Sequence, residues 1–308
     1  MTALLGEGFR KACARSGRRI AAFAVGACIL AAGADGGAIA QTNGPIPEFA
    51  SNPHVWAWVR IRADGRNALY GDGWLDPPAG LRGPIRNDPE HPLQGNVDRA
   101  RRQVTVAMGN YKDPILKPWA AEQMRVSNEE VLTGKRGMPF LATSRCYPGS
   151  VPGQLLWTTE PMYLIQTPKV VYMEWERDSL TRRIYLTNNH SEHVTPSWYG
   201  ESIGHYENGE LVVDTIGIST KLSFLDMFRT PHTDKLHVTE RFKLTGDGKF
   251  LEALVKVEDP DTFNEPMYML ARWRKNVAPW QEFICAENNG DRFSHNLFPI
   301  PEAKTPDF

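Results

Sequence analysis

Several features that would indicate a common function are missing from this 308-residue sequence. Basic residues are not in excess, since 35 Lys and Arg stand against 36 Asp and Glu, so a nucleic-acid-binding protein is not expected. The sequence has no glycine-rich phosphate loop and no alternation of strands with helices, which excludes a dinucleotide-binding fold. No G-x-S-x-G sequence surrounds Ser202, so a serine hydrolase is not expected either.

Long apolar runs are also missing. The apolar run at residues 20–33 is shorter than the roughly 20 helical residues that cross a bilayer. It follows basic residues and precedes Ala38-Ile39-Ala40, which predicts a signal peptide over 1–40 that is cleaved after Ala40. We therefore expect a periplasmic or secreted protein. Residues 41–308 have 30 basic and 34 acidic residues, a net charge of −4, and no further apolar run that predicts a stable membrane span.

Cysteine is scarce, with four residues in the whole chain. Cys13 and Cys28 lie in the predicted signal peptide, which leaves Cys146 and Cys285. In an oxidising compartment these two most simply form one disulfide, although two free thiols or a catalytic cysteine are alternatives. Two cysteines alone do not make a structural zinc site.

Three parts follow one another along the chain: the signal peptide 1–40, a segment 41–140 and a strand-rich domain 141–308. Residues 41–95 are rich in Pro, Gly, Asn and Asp, and they also contain several aromatic residues, which predicts an irregular wrap that docks on the domain. The wrap is partly helical, because Pro118 begins a short predicted helix over 118–124.

Short strands with tight turns dominate the third part of the chain. Asn208-Gly209 and the segment 245–249 predict two hairpins. The fold class is therefore mainly β, an antiparallel meander that forms a lipocalin-like barrel or a strongly curved sheet. The strands are predicted at 162–166, 169–176, 182–186, 203–207, 211–215, 236–244, 250–258, 268–275 and 281–285.

The faces of these strands mix polar and apolar residues. Because side chains alternate across a strand, His237 and Arg241 share one face while Glu240 lies on the other. Mixed faces are typical of a barrel that holds a ligand cavity, and an open sheet with one side in water is the alternative. Tyr185, Trp198, His205, Met269 and Trp273 are the predicted ligand-binding residues.

The densest group of polar residues lies between Asp226 and Arg241. Histidine titrates near neutral pH, so we expect His237, or His232, to act as general acid or base. Glu240 or Asp226 would orient an imidazole, and Arg183 or Arg241 would stabilise developing negative charge. The spacing of the two histidines matches no strong metal signature, so neither a metal nor a cofactor is expected. A loop held together by ion pairs is the alternative.

The motifs of residues 146–292 resemble those of a widespread group of exported bacterial proteins of unknown function. The resemblance implies an exported location and no particular activity. The sequence differs from this group at Glu201 and His205, and also in 187–193, where the group has D-G-R-x-H-P. The shared motifs are C-x-P-x-x-V-P (146–152), I-Q-T-P (165–168), R-R-I-Y-L (182–186), S-I-G (202–204), L-V-V-D-T (211–215), P-H-x-x-x-L-H-V-T-E-R-F (231–242) and C-x-E-N-N-x-D (285–291).

Two functions remain open from the sequence. The first is an exported, cofactor-independent enzyme that carries out acid–base chemistry, a lyase, isomerase or hydrolase step, on a small apolar or aromatic molecule in the barrel. The second is a non-catalytic, lipocalin-like binding protein for an apolar molecule, and a purely structural domain is a weaker alternative. Neither an oligomeric state nor the strand order follows from the sequence.

Overall fold

Nine strands form a closed barrel in which each strand pairs with its neighbours in the chain and the last strand pairs with the first. All pairings are antiparallel except β4 with β5, which is parallel and is connected by residues 186–200. The strands are β1 (Trp56–Arg60), β2 (Met162–Gln166), β3 (Val170–Trp175), β4 (Leu180–Tyr185), β5 (Glu201–Glu207), β6 (Glu210–Ile216), β7 (His237–Thr245), β8 (Phe250–Glu258) and β9 (Met267–Asn276).

A computed structural model describes seven parts of the chain, all within the unit Gly37–Phe308. The predicted signal peptide, its cleavage site and part of the last shared motif lie outside the described residues. The described ranges are 56–68, 73–92, 107–133, 146–156, 161–221, 223–276 and 281–288.

The barrel confirms the predicted fold class, and the turn residues explain much of its path. Asn208 and Gly209 both have positive φ, as a two-residue hairpin turn of the predicted type requires. Gly246, Asp247 and Gly248 also have positive φ in the turn between β7 and β8. Short polar or glycine residues at these positions allow adjacent strands to pair directly.

The segment predicted as a wrap contributes a strand to the barrel. β1 pairs with both β2 and β9 and thereby closes the sheet. The predicted helix is longer than expected, since α1 covers Pro118–Thr133 and buries Ala120, Met124 and Asn128. The predicted strand at 281–285 is wrong, because Phe283 makes only an isolated bridge to Arg177 and a 3₁₀ helix begins at Cys285.

The inside of the barrel is a packed core. Met173, Val213, Phe242, Val255 and Met269 are all 0% exposed. A cavity larger than a water molecule would leave part of its lining accessible, so side chains fill the interior formed by the described residues. The cavity predicted from the mixed strand faces is not present among these residues. Most of the polar side chains on the strands face outward, and apolar side chains fill the inside.

Segments outside the strands are attached to the barrel by a hydrogen bond and a disulfide. The 3₁₀ helix Gly153–Leu156 is completely buried, and its Leu156 carbonyl accepts a hydrogen bond from Nη1 of Arg60 at 3.0 Å. Cys146 and Cys285 form a disulfide with their Cα atoms 5.6 Å apart, as the pairing of the two remaining cysteines predicted. The disulfide joins the segment that precedes the 3₁₀ helix Gly153–Leu156 to the segment that follows β9.

Among the helices in the described ranges, none is long and apolar enough to cross a membrane.

Candidate acid–base site

Three polar groups that are far apart in the sequence meet on the outer wall of the barrel. His237 begins β7, Asp214 lies on the neighbouring strand β6, and His190 lies in the connection between β4 and β5. Asp214 pairs with Thr239 across the two strands, so its side chain and that of His237 project to the same face. We call His190, Asp214 and His237 the His–Asp–His cluster.

The Asp214 carboxylate bridges the two imidazoles. Its Oδ1 lies 2.8 Å from Nε2 of His190, and its Oδ2 lies 2.6 Å from Nε2 of His237. The side chains of Asp214 and His237 are 35% and 38% exposed, whereas that of His190 is 17% exposed. The cluster is therefore open to solvent on the His237 side.

Glu201 holds the His190 side of the cluster in place. Its Oε1 lies 2.9 Å from Nδ1 of His190 and also accepts the backbone N–H of Ser191 at 2.7 Å. The Ser191 hydroxyl donates to the other Glu201 oxygen at 2.5 Å. Because both nitrogens of His190 are bonded to carboxylates, this imidazole serves to position Asp214.

The charges in the cluster stabilise one another. The hydrogen bond to Asp214 raises the pKa of His237, and burial reduces this effect only in part. Burial raises the pKa of Asp214, but hydrogen bonds and charge from the two histidines outweigh it and lower the pKa overall. Burial also raises the pKa of Glu201, and its bonds to Ser191 and His190 likewise reverse that effect.

The second nitrogen of His237 makes no hydrogen bond with the described residues. Its Nδ1 is 3.8 Å from Oε2 of Glu258, which is too long for a direct bond, and Oε1 of Glu258 is held by Lys256 at 2.7 Å. An imidazole oriented by a carboxylate at one nitrogen and accessible at the other is the arrangement used in general acid–base catalysis.

Glu240, predicted to orient His237, lies on the opposite side of the barrel wall. It is 0% exposed and its Oε1 accepts a hydrogen bond from Nη1 of Arg182 at 2.9 Å. Arg182 also donates to Thr215 at 2.8 Å and to Ser202 at 3.1 Å. The expected pair of Glu240 and His237 is therefore not formed, because the strand alternation turns the two side chains in opposite directions.

Asp226 and His232 also lie apart from the cluster. Both Asp226 oxygens accept hydrogen bonds within its own turn, from Phe228 and Thr230. His232 is 7% exposed and bonds to the Ser223 hydroxyl at 3.0 Å, and burial lowers its pKa. The prediction that Asp226 orients a catalytic imidazole is wrong, because local backbone and hydroxyl groups use its carboxylate.

The two predicted arginines lie on the outer wall. Arg183 on β4 is exposed. Arg241 shares the outer face of β7 with His237, as the alternation predicted. Its Nε donates to Glu210 at 2.7 Å and its Nη2 donates to Glu207 at 3.0 Å. Glu210 and Glu207 therefore partly neutralise the positive charge of Arg241, which was expected from the sequence to stabilise a reacting anion.

The predicted ligand-binding residues do not form one site. Met269 and Trp273 point into the packed core, at 0% and 2% exposure. Tyr185 and His205 face outward on β4 and β5. Trp198 stacks on Tyr147 with their ring centroids 5.3 Å apart. These residues do not share one surface, because Met269 and Trp273 occupy inward-facing positions of β9, whereas Tyr185 and His205 occupy outward-facing positions of their strands.

One group of described residues brings three possible metal ligands within 4.8 Å of one another: Asp88, Glu90 and His91. Each ligand side chain already has a protein partner. Asp88 bonds to Nδ1 of His91 at 3.0 Å, and Glu90 accepts from Lys112 at 2.5 Å. These contacts give the turn a structural explanation without an ion.

No local sequence pattern connects His237 with Asp214 or with the two residues behind Asp214. Asp214, His190 and Glu201 belong to other strands or loops, so their spacing in the sequence carried no signal of contact. Asp214 could have been identified as a neighbour of His237 from the order of the strands. It lies on the strand that follows the Asn208-Gly209 turn, and the next strand, which pairs with it, begins with His237. His190 lies outside the strands, and no strand pattern predicts its position.

The chain matches no model of a known protein family.

Proposed function

We propose that this protein is an exported, cofactor-independent enzyme that carries out acid–base chemistry at the His–Asp–His cluster. The observation that carries the proposal is the bridging carboxylate of Asp214, which holds Nε2 of His237 at 2.6 Å while His237 stays 38% exposed. The Cys146–Cys285 disulfide supports an oxidising compartment.

His237 is the proton-transfer group in this proposal. In its charged form Nδ1 donates its proton to a substrate oxygen or nitrogen, while Asp214 keeps Nε2 protonated and the ring oriented. In its neutral form the same Nδ1 removes a proton from the substrate, and the carboxylate stabilises the imidazolium that forms. Returning that proton to the product restores the starting state, as a lyase, isomerase or hydrolase step requires.

The reacting molecule would bind on the outer wall. The described interior is filled by side chains, whereas the cluster faces solvent. A small substrate would lie against β7 and β8, with its reacting atom near Nδ1 of His237.

A general-base probe tests the proposal before the natural substrate is identified. The base-catalysed ring opening of 5-nitrobenzisoxazole releases a coloured phenolate when one ring proton is removed. We expect His237→Gln and Asp214→Asn to lower the protein-dependent rate at least about tenfold. The matched control is His205→Gln, since His205 is a partly exposed histidine on the same wall and outside the cluster. A wild-type rate in His237→Gln would exclude this role for His237.

A non-catalytic binding protein is the second candidate, and one observation favours it. Trp58 Nε1 and Tyr206 Oη are buried polar atoms of inward-facing residues without a hydrogen-bond partner among the described residues. Buried polar groups usually have partners, so an apolar ligand that displaces core side chains and opens the packed interior could satisfy them. Extraction of the purified protein with organic solvent tests this: a stoichiometric apolar molecule, recovered unchanged, would favour binding over catalysis.

A further inference from the structure

A cleft lies on the outer wall where the segment after β1 crosses β9. Leu75 and Leu270 exchange two backbone hydrogen bonds there, at 2.9 and 3.2 Å. The cleft has a volume of about 380 Å³, within the usual range of small-molecule sites. Trp74, Leu75 and Leu270 form its apolar part, and Asp76, Arg86 and Arg272 form its polar part. It shares no residue with the His–Asp–His cluster.

The two guanidinium groups keep unused hydrogen-bond donors. Arg272 directs Nε and Nη2 to one oxygen of Glu252, at 2.7 and 2.5 Å. Arg86 directs Nη1 to the Trp74 carbonyl at 2.6 Å and Nη2 to Asp76. Nη1 of Arg272 and Nε of Arg86 therefore make no hydrogen bond with the described residues, and both side chains line the cleft.

The accessible apolar surface of the cleft comes mainly from the two leucines. Trp74 also lines the cleft, but it is only 3% exposed and its indole Nε1 is buried, so this N–H is not accessible to a ligand there. The cleft thus combines two guanidinium groups with an apolar surface.

We propose that this cleft binds a small aromatic carboxylate. A carboxylate matches the planar donors of the guanidinium groups, and an aromatic body matches the apolar surfaces of Leu75 and Leu270. Asp76 competes for Arg86, but their side chains are 85% and 47% exposed. Exposed ion pairs contribute little, so a ligand carboxylate can replace Asp76 at low cost. The proposal does not depend on the acid–base function.

Titration calorimetry of the full mature protein with 2-naphthoate tests the proposal. The neutral analogue 2-naphthamide has the same aromatic body, and we expect it to bind at least about tenfold more weakly. Arg272→Met and Arg86→Met should each weaken naphthoate binding about tenfold and leave amide binding unchanged. The matched control is Arg183→Met, which removes an exposed arginine of the same barrel outside the cleft.

A second variant keeps the test decisive if an arginine substitution disturbs folding. Asp76→Asn removes the competing carboxylate at an exposed position and should tighten naphthoate binding about threefold or more. Equal affinity for acid and amide, or no saturable naphthoate binding up to about 10 mM, would overturn the proposal. The same affinity in Arg272→Met, Arg86→Met and Arg183→Met would overturn it too. His237→Gln should leave naphthoate binding unchanged, so this result is separate from that of the general-base assay.

Discussion

His237 and Glu240 are three residues apart on β7 and lie on opposite sides of the barrel wall. His237 faces outward to Asp214, with Nε2 and Oδ2 2.6 Å apart, whereas Glu240 faces inward to Arg182. Two charged groups that look like one site in the sequence therefore have separate roles. Glu240 belongs to the core, and His237 belongs to the proposed acid–base site.

The buried ion pair makes a stability prediction. Glu240→Ala leaves the 1%-exposed Arg182 side chain without its carboxylate, which should lower the free energy of unfolding by about 3–5 kcal/mol. Urea denaturation followed by circular dichroism measures this change. Lys112→Ala is the control, because it breaks an exposed pair with Glu90 and should cost less than about 1 kcal/mol. Equal effects of the two substitutions would contradict the buried pair.

The His–Asp–His cluster predicts the titration of His237. NMR titration of the histidine ring protons should give His237 a pKa above the ordinary value of 6.5, and Asp214→Asn should lower it. The titration of wild type under the same conditions is the reference. An unchanged His237 pKa in Asp214→Asn would show that the hydrogen bond does not form in solution.

The same shifts predict a pH dependence of stability. The raised pKa of His237 stabilises the folded protein fully below about pH 6.5, and this contribution is lost as pH rises through the folded pKa. The lowered pKa of Asp214 contributes above about pH 3.8 and is lost as pH falls through the folded pKa. The difference in unfolding free energy between wild type and Asp214→Asn should therefore be largest between these pH values. A difference that grows above pH 6.5 would contradict this sign.

The disulfide should contribute substantially to stability. It connects residues 139 positions apart, so it constrains a long loop of the unfolded chain. We expect the double substitution Cys146→Ser and Cys285→Ser to lower the free energy of unfolding by about 2–5 kcal/mol. Treatment of that variant with a reducing agent is the control and should have no further effect. Two free thiols in the oxidised wild-type chain 41–308, which contains only Cys146 and Cys285, would exclude the bond.

Close packing between β4 and β5 predicts the effect of adding a single methyl group. A Cβ atom on Gly204 would lie 2.8 Å from Cγ2 of Ile184, so Gly204→Ala should cost about 1–3 kcal/mol. Gly209 is the matched control, because no atom lies within 4 Å of a Cβ atom there. Its positive φ of 81° is one that asparagine tolerates, so Gly209→Asn should cost less than about 1 kcal/mol. Thermal unfolding compares the two variants.

Local patterns predicted most of the strands, and contacts between distant segments explain the errors. Alternating side chains and turn residues located the strands between Met162 and Asn276. β1 was missed because only five residues in a Pro- and Gly-rich segment form it, and its partners are more than 100 residues away. The segment 281–285 has the composition of a strand but only one isolated bridge partner.

The candidate site was predictable only in part. His237 was identified because a histidine beside charged residues at the start of a strand suggests proton transfer. Its true partners could not be identified, since Asp214 lies 23 residues earlier in the chain and His190 lies in a loop. Glu240 was chosen because it is close in sequence, although the two-residue period of a strand places it on the other face.

The sequence by itself determined the fold class, the hairpin turns and the residues available for a disulfide, because these follow from side-chain alternation, backbone preferences and cysteine count. Only the tertiary structure decided that the sheet closes through β1 and that Arg182 neutralises Glu240 in the core. It also decided that Asp214 bridges His190 and His237. The physical reason is that closure and charge pairing depend on strand register around the whole barrel, which no local stretch of sequence contains.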